Sequence, residues 1–501
     1  MELEHESILN LMQLKSQTFG EHTALSIRKG AVWETCSYLE LSRRSNQLSD
    51  FLREQGARRG DRIAIWGESC PEWVISFFGG VRSGGVIVPL DIRATPTEIM
   101  AILADSRPLF LLTSDSVRVA AESLRAATPS LQKCWYFSEF EHLKPSNTLE
   151  GVEREMHEPC LLAYTSGTTG SAKGVIISFG NIVFQVRMLT DMVGITGDDV
   201  FLSILPLNHL LELTGGLFCV VYTGGEVCYG QTFYPQEVLK IMNEKPITWM
   251  VTVPLFLKVL KSYLEKTGEK LPGQMKGFIC GGARLDQDAA EFFEKNKAPV
   301  FQGYGLTETS PVISVNSRHF NKAGSVGKPV PGIEVKIAKD GEILTRGPHV
   351  MKGYYNREDL TREVIDTQGW LHTGDLGRFD SDGYLHITGR LKNMIVLGDG
   401  KKVHPEEVES ALERSTMWKE ICVSSCVSKK SILEGTEEVC AVVVQPTAGE
   451  KEVRHEIDLL TAGLAPYKKP VRIFFRLEEL PRTSTRKIKR HVVREWIQSI
   501  G

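Results

Sequence analysis

RIAIWGESCPEWVISFFGGVRSGGVIVPLD, residues 62–91, reads as a strand, a helix and a second strand in succession. RIAIWG (62–67) is a short apolar run, the pattern of a strand buried on both faces. PEWVISFFGGVRSG reads as the helix and VIVPLD as the next strand. Working outward, Thr95, Pro96 and Glu98 form a capping-box start for a helix from Pro96 to about Ala104, and LFLLTS (109–114) is another strand. Further on, PQEVLKIMNEK is a helix stopped by Pro246, ITWMVTV a strand, and LFLKVLKSYLEK a helix ending at Gly268. β-type runs alternating with helical patterns predict layered α/β architecture. Gly-rich loops sit at the strand ends, where open α/β sheets place their ligands. Near residue 390 the texture changes to a shorter, helix-rich region that is basic at its end. The expected division is therefore 1–390 and 391–501.

A chain of 501 residues exceeds what one hydrophobic core usually holds, so two or more domains are expected. Apolar residues at 42% and charged residues at 24% are the balance of an ordinary globular protein. The formal net charge of −3, from 59 basic and 62 acidic side chains, argues against nucleic acid as a partner. Ten cysteines are scattered without a CxxC pair; Cys422 and Cys426 are nearest in sequence, and no second pair or His set completes a zinc site. Buried thiols in a reducing cytosol are the simpler reading. MELEHESILNLMQ is acidic and lacks the features of a signal peptide. The most apolar stretch, Val74 to Leu90, contains Arg82 and four glycines and is too short to span a bilayer. A cytoplasmic location without a transmembrane segment is expected.

The sharpest chemical signal is AYTSGTTGSAKG, residues 163–174. Thr165, Ser166, Thr168 and Thr169 surround Gly167 and Gly170, and Lys173 closes the run. Glycines let several backbone N–H groups point at one anion, hydroxyls add donors, and a lysine adds a point charge suited to phosphate. It departs from the P-loop pattern, since Ser171 and Ala172 separate Gly170 from the lysine. CLLAY before it and VIISFGNIVFQ after it place the loop between strands. GYGLTET (303–309) follows the apparent strand APVFQ and offers Tyr304 as a flat face for a base, the Thr307 hydroxyl for phosphate, and Glu308 as a hard carboxylate for Mg2+. FICGGARLD (278–286) sets a strand before a Gly-Gly turn near the same pocket. In WLHTGDLGRFDSDGYLHITGRLKNMIV (370–396), Asp375 after a Thr-Gly turn suits ribose hydroxyls, whereas Asp380 and Asp382 read as hairpin-turn formers. LPRTSTRKIKR (480–490), taken alone, reads as a solvated basic face. PLNHLLELTGGLFCVV (206–221) suits a fatty tail and a buried helix equally.

Together these segments resemble the adenylate-forming superfamily of acyl-CoA synthetases, non-ribosomal peptide adenylation domains and luciferases, from about Gly60 to the C-terminus. Within it, PLNHLLE (206–212) and GRLKNMIVLGDGKKVHPEEVE (389–409) are similar to segments of long-chain fatty-acyl-CoA synthetases. The resemblance implies a large N-terminal domain of layered α/β subdomains and a small, mobile α+β C-terminal domain. It implies that Thr165, Ser166, Gly167, Thr168, Thr169, Gly170 and Lys173 hold the triphosphate. Gly281, Gly282, Ala283 and Tyr304 would frame adenine, Thr307 would contact the α-phosphate, and Glu308 would bind Mg2+. Asp375 and Arg390 would hold the ribose, with Lys392 as the hinge and Lys487 as the mobile catalytic lysine. His209 would lie near the acyl carboxylate, and Gly398 and Gly400 would line the thiol's approach. Two positions depart from the family pattern: Arg486 precedes the lysine where many members carry glycine, and Val396 stands where many carry a basic residue.

The implied reaction uses ATP and Mg2+ to convert a carboxylic acid, expected to be a medium- or long-chain fatty acid, to acyl-AMP with release of pyrophosphate. CoA then accepts the acyl group. The alternative is an acyl-AMP ligase loading an acyl or aryl acid onto the phosphopantetheine of an acyl carrier protein.

Overall fold

The computed structural model describes residues 15–30, 32–146, 151–166, 172–427, 436–482 and 488–500. Packing divides the chain into two compact units. One runs to Val335 and takes in Thr345–Leu371; the other comprises Lys336–Leu344 and the chain from His372 onward.

The first unit is built on the strand–helix–strand pattern of residues 62–91. Arg62–Trp66 lies parallel to Val86–Leu90 on one side and to Phe110–Thr113 on the other, with the helix Pro71–Arg82 as the crossover. All five residues of Val86–Leu90 are buried, which explains the unbroken apolar run. Pro159–Ser166 pairs with this strand through Ile87↔Leu161 and turns back antiparallel into Ala172–Ser178. The two-residue strand Gly353–Tyr354 completes that edge, antiparallel to Ala172–Ser178. The helix Pro96–Ser106 starts at the expected capping box: Thr95 N–H donates to the Glu98 carboxylate at 2.8 Å, and Glu98 N–H donates to the Thr95 hydroxyl at 3.3 Å.

A second sheet holds a run of parallel strands in the spatial order Val300–Tyr304, Gly277–Cys280, Trp249–Thr252, Val200–Ser203, Glu226–Tyr229 and Thr23–Lys29. The helix Pro254–Thr267 ends at Gly268, whose φ of +73° gives the left-handed cap that suits glycine. The segment Pro206–Val221 resolves in favour of a buried helix. Leu211–Phe218 forms a π-helix that continues into Cys219–Thr223, and Leu213, Leu217, Phe218, Val220 and Val221 are buried in the core. Phe218 packs on Phe77 of the Pro71–Arg82 helix at 5.1 Å between ring centroids. Burying side chains of this size contributes roughly 1.5–3 kcal/mol each, enough to commit the segment to the interior.

In the second unit, Leu371–Phe379 and Leu385–Arg390 form an antiparallel pair joined through DSDG. Asp380 accepts from the N–H groups of Asp382 and Tyr384, both at 3.0 Å, and contacts the His386 ring at 2.9 Å. It is a turn former, as its Asp-Gly context predicts. The remainder is α+β: strands Trp418–Val427, Glu437–Pro446 and Arg472–Arg476 form one sheet, with helices Pro405–Leu412, Glu450–Leu460 and Arg490–Ile500. The region is less purely helical than its sequence texture suggests. ICVSSCV and EEVCAVVVQ are apolar, β-branched runs that pair as the sheet's two long strands. All ten cysteines are free, and eight are buried.

Candidate active site

The Ser/Thr/Gly loop leaves the sheet at a defined point. Thr165 pairs with Lys173 and Ser166 with Ala172 in antiparallel register, so the two arms of the loop are held together at its base. Gly167, Thr168, Thr169 and Gly170 lie outside the described residues. Lys173 sits with its Nζ 5.4 Å from the centroid of the Tyr354 ring. Behind it, the Gly174 carbonyl accepts the N–H of Tyr355 at 2.7 Å. The Tyr164 hydroxyl donates to Asp105 at 2.5 Å and anchors the incoming strand.

GYGLTET begins on the last residues of the strand Val300–Tyr304 and turns through the 3-10 segment Thr307–Thr309. Gly305 is obligatory, because a Cβ at that position would collide with the Pro311 carbonyl. The Leu306 N–H donates to the Thr309 hydroxyl at 2.8 Å, and the buried Gln185 amide donates to the Thr309 and Val312 carbonyls at 3.2 and 2.7 Å. Tyr304, Thr307 and Glu308 are half-buried. The Tyr354 hydroxyl donates to Glu308 Oε1 at 2.8 Å, and the Met351 N–H donates to the Glu308 carbonyl at 2.9 Å. Burial and the neighbouring Glu308 charge push the Tyr354 phenol pKa well up, so its hydroxyl stays protonated as a donor.

Gly281 follows the strand Gly277–Cys280 and packs against Leu211 at the start of the π-helix; Gly282 and Ala283 are exposed. The Gln302 amide donates to the Ala283 carbonyl at 3.3 Å, tying this turn to the strand that carries Tyr304. His209 stands on the turn before the π-helix, with Nε2 3.8 Å from Asp91 Oδ2. Asp91 directly follows the strand Val86–Leu90.

In the second unit, Asp375 and Arg390 are register partners. Arg390 Nε lies 2.5 Å from Asp375 Oδ1, and the Asp375 side chain is almost wholly buried. The Thr-Gly-Asp turn is held from behind by Glu342, which accepts the Gly374 N–H at 2.9 Å and contacts His372 Nδ1 at 2.7 Å. The Thr373 hydroxyl donates to the Ile343 carbonyl at 2.7 Å. Lys392 lies in the 3-10 turn Leu391–Asn393. Gly398 and Gly400 belong to the tight turn joining Ile395–Val396 to Lys402–Val403, where Gly400 has φ +81°. Lys487 falls outside the described residues. Flanking it, Arg482 and Ile488 form a β-bridge and Lys489 N–H donates to the Pro481 carbonyl at 2.7 Å. Arg490 pairs with Glu409 at 2.5 Å, so this end of the basic run is part of the packing rather than a solvated face.

Lys173, Tyr354 and Glu308 are thus joined within the first unit, and Asp375 and Arg390 within the second. Tyr354, Gln185, Glu342 and Glu409 carry no local sequence signal, since each acts through a partner far along the chain. Among the described residues, no three His, Cys, Asp or Glu side chains gather into a metal cage. A single carboxylate, Glu308, joined through Tyr354 to Lys173 at the base of the Ser/Thr/Gly loop, fits Mg2+, which is commonly held by one or two carboxylates, water and substrate phosphates.

A family model described as AMP-binding enzyme matches residues 12–355. The chain is 31% identical over 493 residues to a feruloyl-CoA synthase of Amycolatopsis, covering 94% of this chain and 95% of that protein. It superposes on the o-succinylbenzoate CoA synthetase of Bacillus subtilis in complex with its acyl-adenylate intermediate with a TM-score of 0.86, at 31% identity and 97% coverage of both chains. For the same Bacillus enzyme in complex with ATP and magnesium ion the TM-score is 0.83, at 31% identity, covering 96% of this chain and 98% of that one. The chain belongs to the AMP-binding enzyme family, among its AMP-forming acid–thiol ligases.

Proposed function

We propose that the chain joins a carboxylic acid to AMP and passes the acyl group to CoA. In the first step a carboxylate oxygen bonds to the α-phosphorus of ATP, the bond to the bridging oxygen breaks, and pyrophosphate leaves. In the second, the CoA thiol gives its proton to solvent, and its sulfur bonds to the carbonyl carbon as AMP departs with the electrons of the broken C–O bond. The protein's task is to align two anions and offset their charge, which is where such sites gain most of their rate.

The observation that carries this reading is the joining of Lys173, Tyr354 and Glu308 beside the base of a Ser/Thr/Gly loop, in a chain of this family. Thr165 to Gly170 and Lys173 take the triphosphate. Glu308 would hold Mg2+, whose charge offsets that of the phosphates. Gly281, Gly282, Ala283 and Tyr304 frame the adenine, Thr307 contacts the α-phosphate, and Asp375 and Arg390 take the ribose. His209 sits near the acyl carboxylate, and Lys487 neutralises charge on the reacting phosphate. Residues 1–390 serve as the ATP- and acyl-binding part and 391–501 as the mobile part, turning at Lys392 so that the loop of Gly398 and Gly400 replaces Lys487 for thiol attack.

For the acid we propose an aryl substrate rather than a fatty one. Two features support this: relatives named for ferulate and 2-succinylbenzoate, and the burial of the apolar residues 213–221 in the core. A cytoplasmic location is proposed from ten free cysteines; among the described residues no helix is long and apolar enough to cross a membrane. The test is a pyrophosphate-release panel of C4–C18 fatty acids and substituted benzoic and cinnamic acids, with and without CoA. Aryl acids should release pyrophosphate and yield thioesters. Preferential use of fatty acids would overturn the substrate class, and no pyrophosphate with any acid would overturn the reaction.

A further inference from the structure

Tyr354 belongs to none of the segments that the sequence singles out, yet it touches two of them. Its backbone pairs with Val175 in the strand that leaves the phosphate loop, while Gly353 pairs with Ile176. Its N–H donates to the Thr361 hydroxyl at 2.9 Å, so the helix Glu358–Val364 steadies it from the other side. The residue is 8% exposed. From this fixed base the ring lies beneath the Lys173 ammonium at 5.4 Å and the hydroxyl reaches Glu308 Oε1 at 2.8 Å. The Met351 N–H holds the Glu308 backbone carbonyl at 2.9 Å, so one short segment, Met351–Tyr354, fixes both the main chain and the side chain of that glutamate.

We propose that Tyr354 is a positioning residue for the Mg2+·ATP complex: its hydroxyl engages one Glu308 oxygen so that the other faces the metal, and its ring places Lys173 beside the phosphates. The proposal rests on the reading of Glu308 as the Mg2+ ligand. A carboxylate turning freely about its terminal torsion would present either oxygen, or both, in several directions. Mg2+ demands near-octahedral geometry, so a carboxylate held in one orientation is better suited to it. The hydroxyl donates to a charged acceptor, which makes the bond stronger than a neutral one.

The test separates the hydroxyl from the ring. Tyr354→Phe keeps the ring under Lys173 and removes only the hydrogen bond. ATP binding is measured by calorimetry on the full-length wild type, Tyr354→Phe, Glu308→Gln and the double variant, each with and without Mg2+. Tyr354→Phe should weaken binding about tenfold with Mg2+, the worth of one hydrogen bond to a charged group, and leave metal-free binding unchanged. The Mg2+ concentration for half-maximal pyrophosphate release should rise by a similar factor. In the double variant, the added loss beyond Glu308→Gln should vanish. Wild-type Mg2+ dependence in Tyr354→Phe, with Glu308→Gln impaired, would overturn this proposal and leave the Glu308 reading standing. Equal weakening with and without metal would also overturn it, since that marks a structural role. Unchanged Mg2+ dependence in Glu308→Gln would overturn both.

Discussion

Glu212 is a carboxylic acid in the core of the first unit. It lies on the π-helix Leu211–Phe218, is wholly buried, and neither carboxyl oxygen is hydrogen-bonded among the described residues. Gly216 makes the room, because a methyl group there would collide with the carboxylate. Burial pushes the pKa up from 4.5 to about 8. The folded-state pKa is raised, so the contribution of the protonated carboxyl to stability is fully present below about pH 4.5 and is lost as pH rises towards 8. Between those limits the wild type should lose up to about 1.4 kcal/mol of stability per pH unit. Glu212→Gln does not titrate, so its stability relative to wild type should rise from pH 5 and level off above about pH 8 in denaturant unfolding. A difference independent of pH would show that the carboxyl is ionised in the fold. At Lys487 the expectation is kinetic: Lys487→Ala should slow adenylation roughly 10²–10³-fold while sparing transfer from preformed acyl-AMP. Equal losses in both half-reactions would count against its proposed role.

The element whose placement matters most is the segment around Lys487. Its downstream end is set by Arg490, the first residue of the helix Arg490–Ile500, which donates to the Val423 carbonyl at 2.8 Å and to Glu409 at 2.5 Å. Glu409 in turn accepts the Val423 N–H at 2.7 Å. Burial pushes the Glu409 pKa up and Arg490 opposes it, so each charge is tolerated because the other is present. Arg490→Met should destabilise the protein by roughly 3–5 kcal/mol, towards the lower figure because the Arg490 side chain is 22% exposed. Arg490→Met with Glu409→Leu should recover much of the loss in denaturant titrations. If the double variant is no better than the single one, the pair is not what holds the helix. The basic run reads as solvated in sequence because its acidic partner lies 81 residues upstream.

At the scale of the whole molecule, two different boundaries are in play. Packing places Lys336–Leu344 and the chain from His372 onward in the second unit, whereas the proposed pivot is Lys392, in the short turn Leu391–Asn393. By packing, the strand pair that holds Asp375 and Arg390 belongs to the second unit, whereas a pivot at Lys392 would leave it with residues 1–390. Lys392→Pro fixes φ at that one residue and removes a backbone donor. It should impair thioester formation severalfold more than ATP–pyrophosphate exchange. Equal effects on both would place the pivot elsewhere, with the packing boundary as the next position to probe.

Local pattern alone determined the alternation of strands and helices, the capping box at Thr95, the cap at Gly268, the hairpin at DSDG, and the loop between two strands that carries Thr165 and Lys173. Each is written within a few consecutive residues, through side-chain periodicity and the backbone preferences of Gly, Pro, Asp and Thr. Tertiary structure decided the rest: that residues 212–221 fill the core, that Arg490 answers Glu409, that Glu342 backs the Thr-Gly-Asp turn, and that Tyr354 reaches Glu308. These depend on groups tens of residues apart meeting in space, and burial, pairing and hydrogen bonding leave no local mark on either partner.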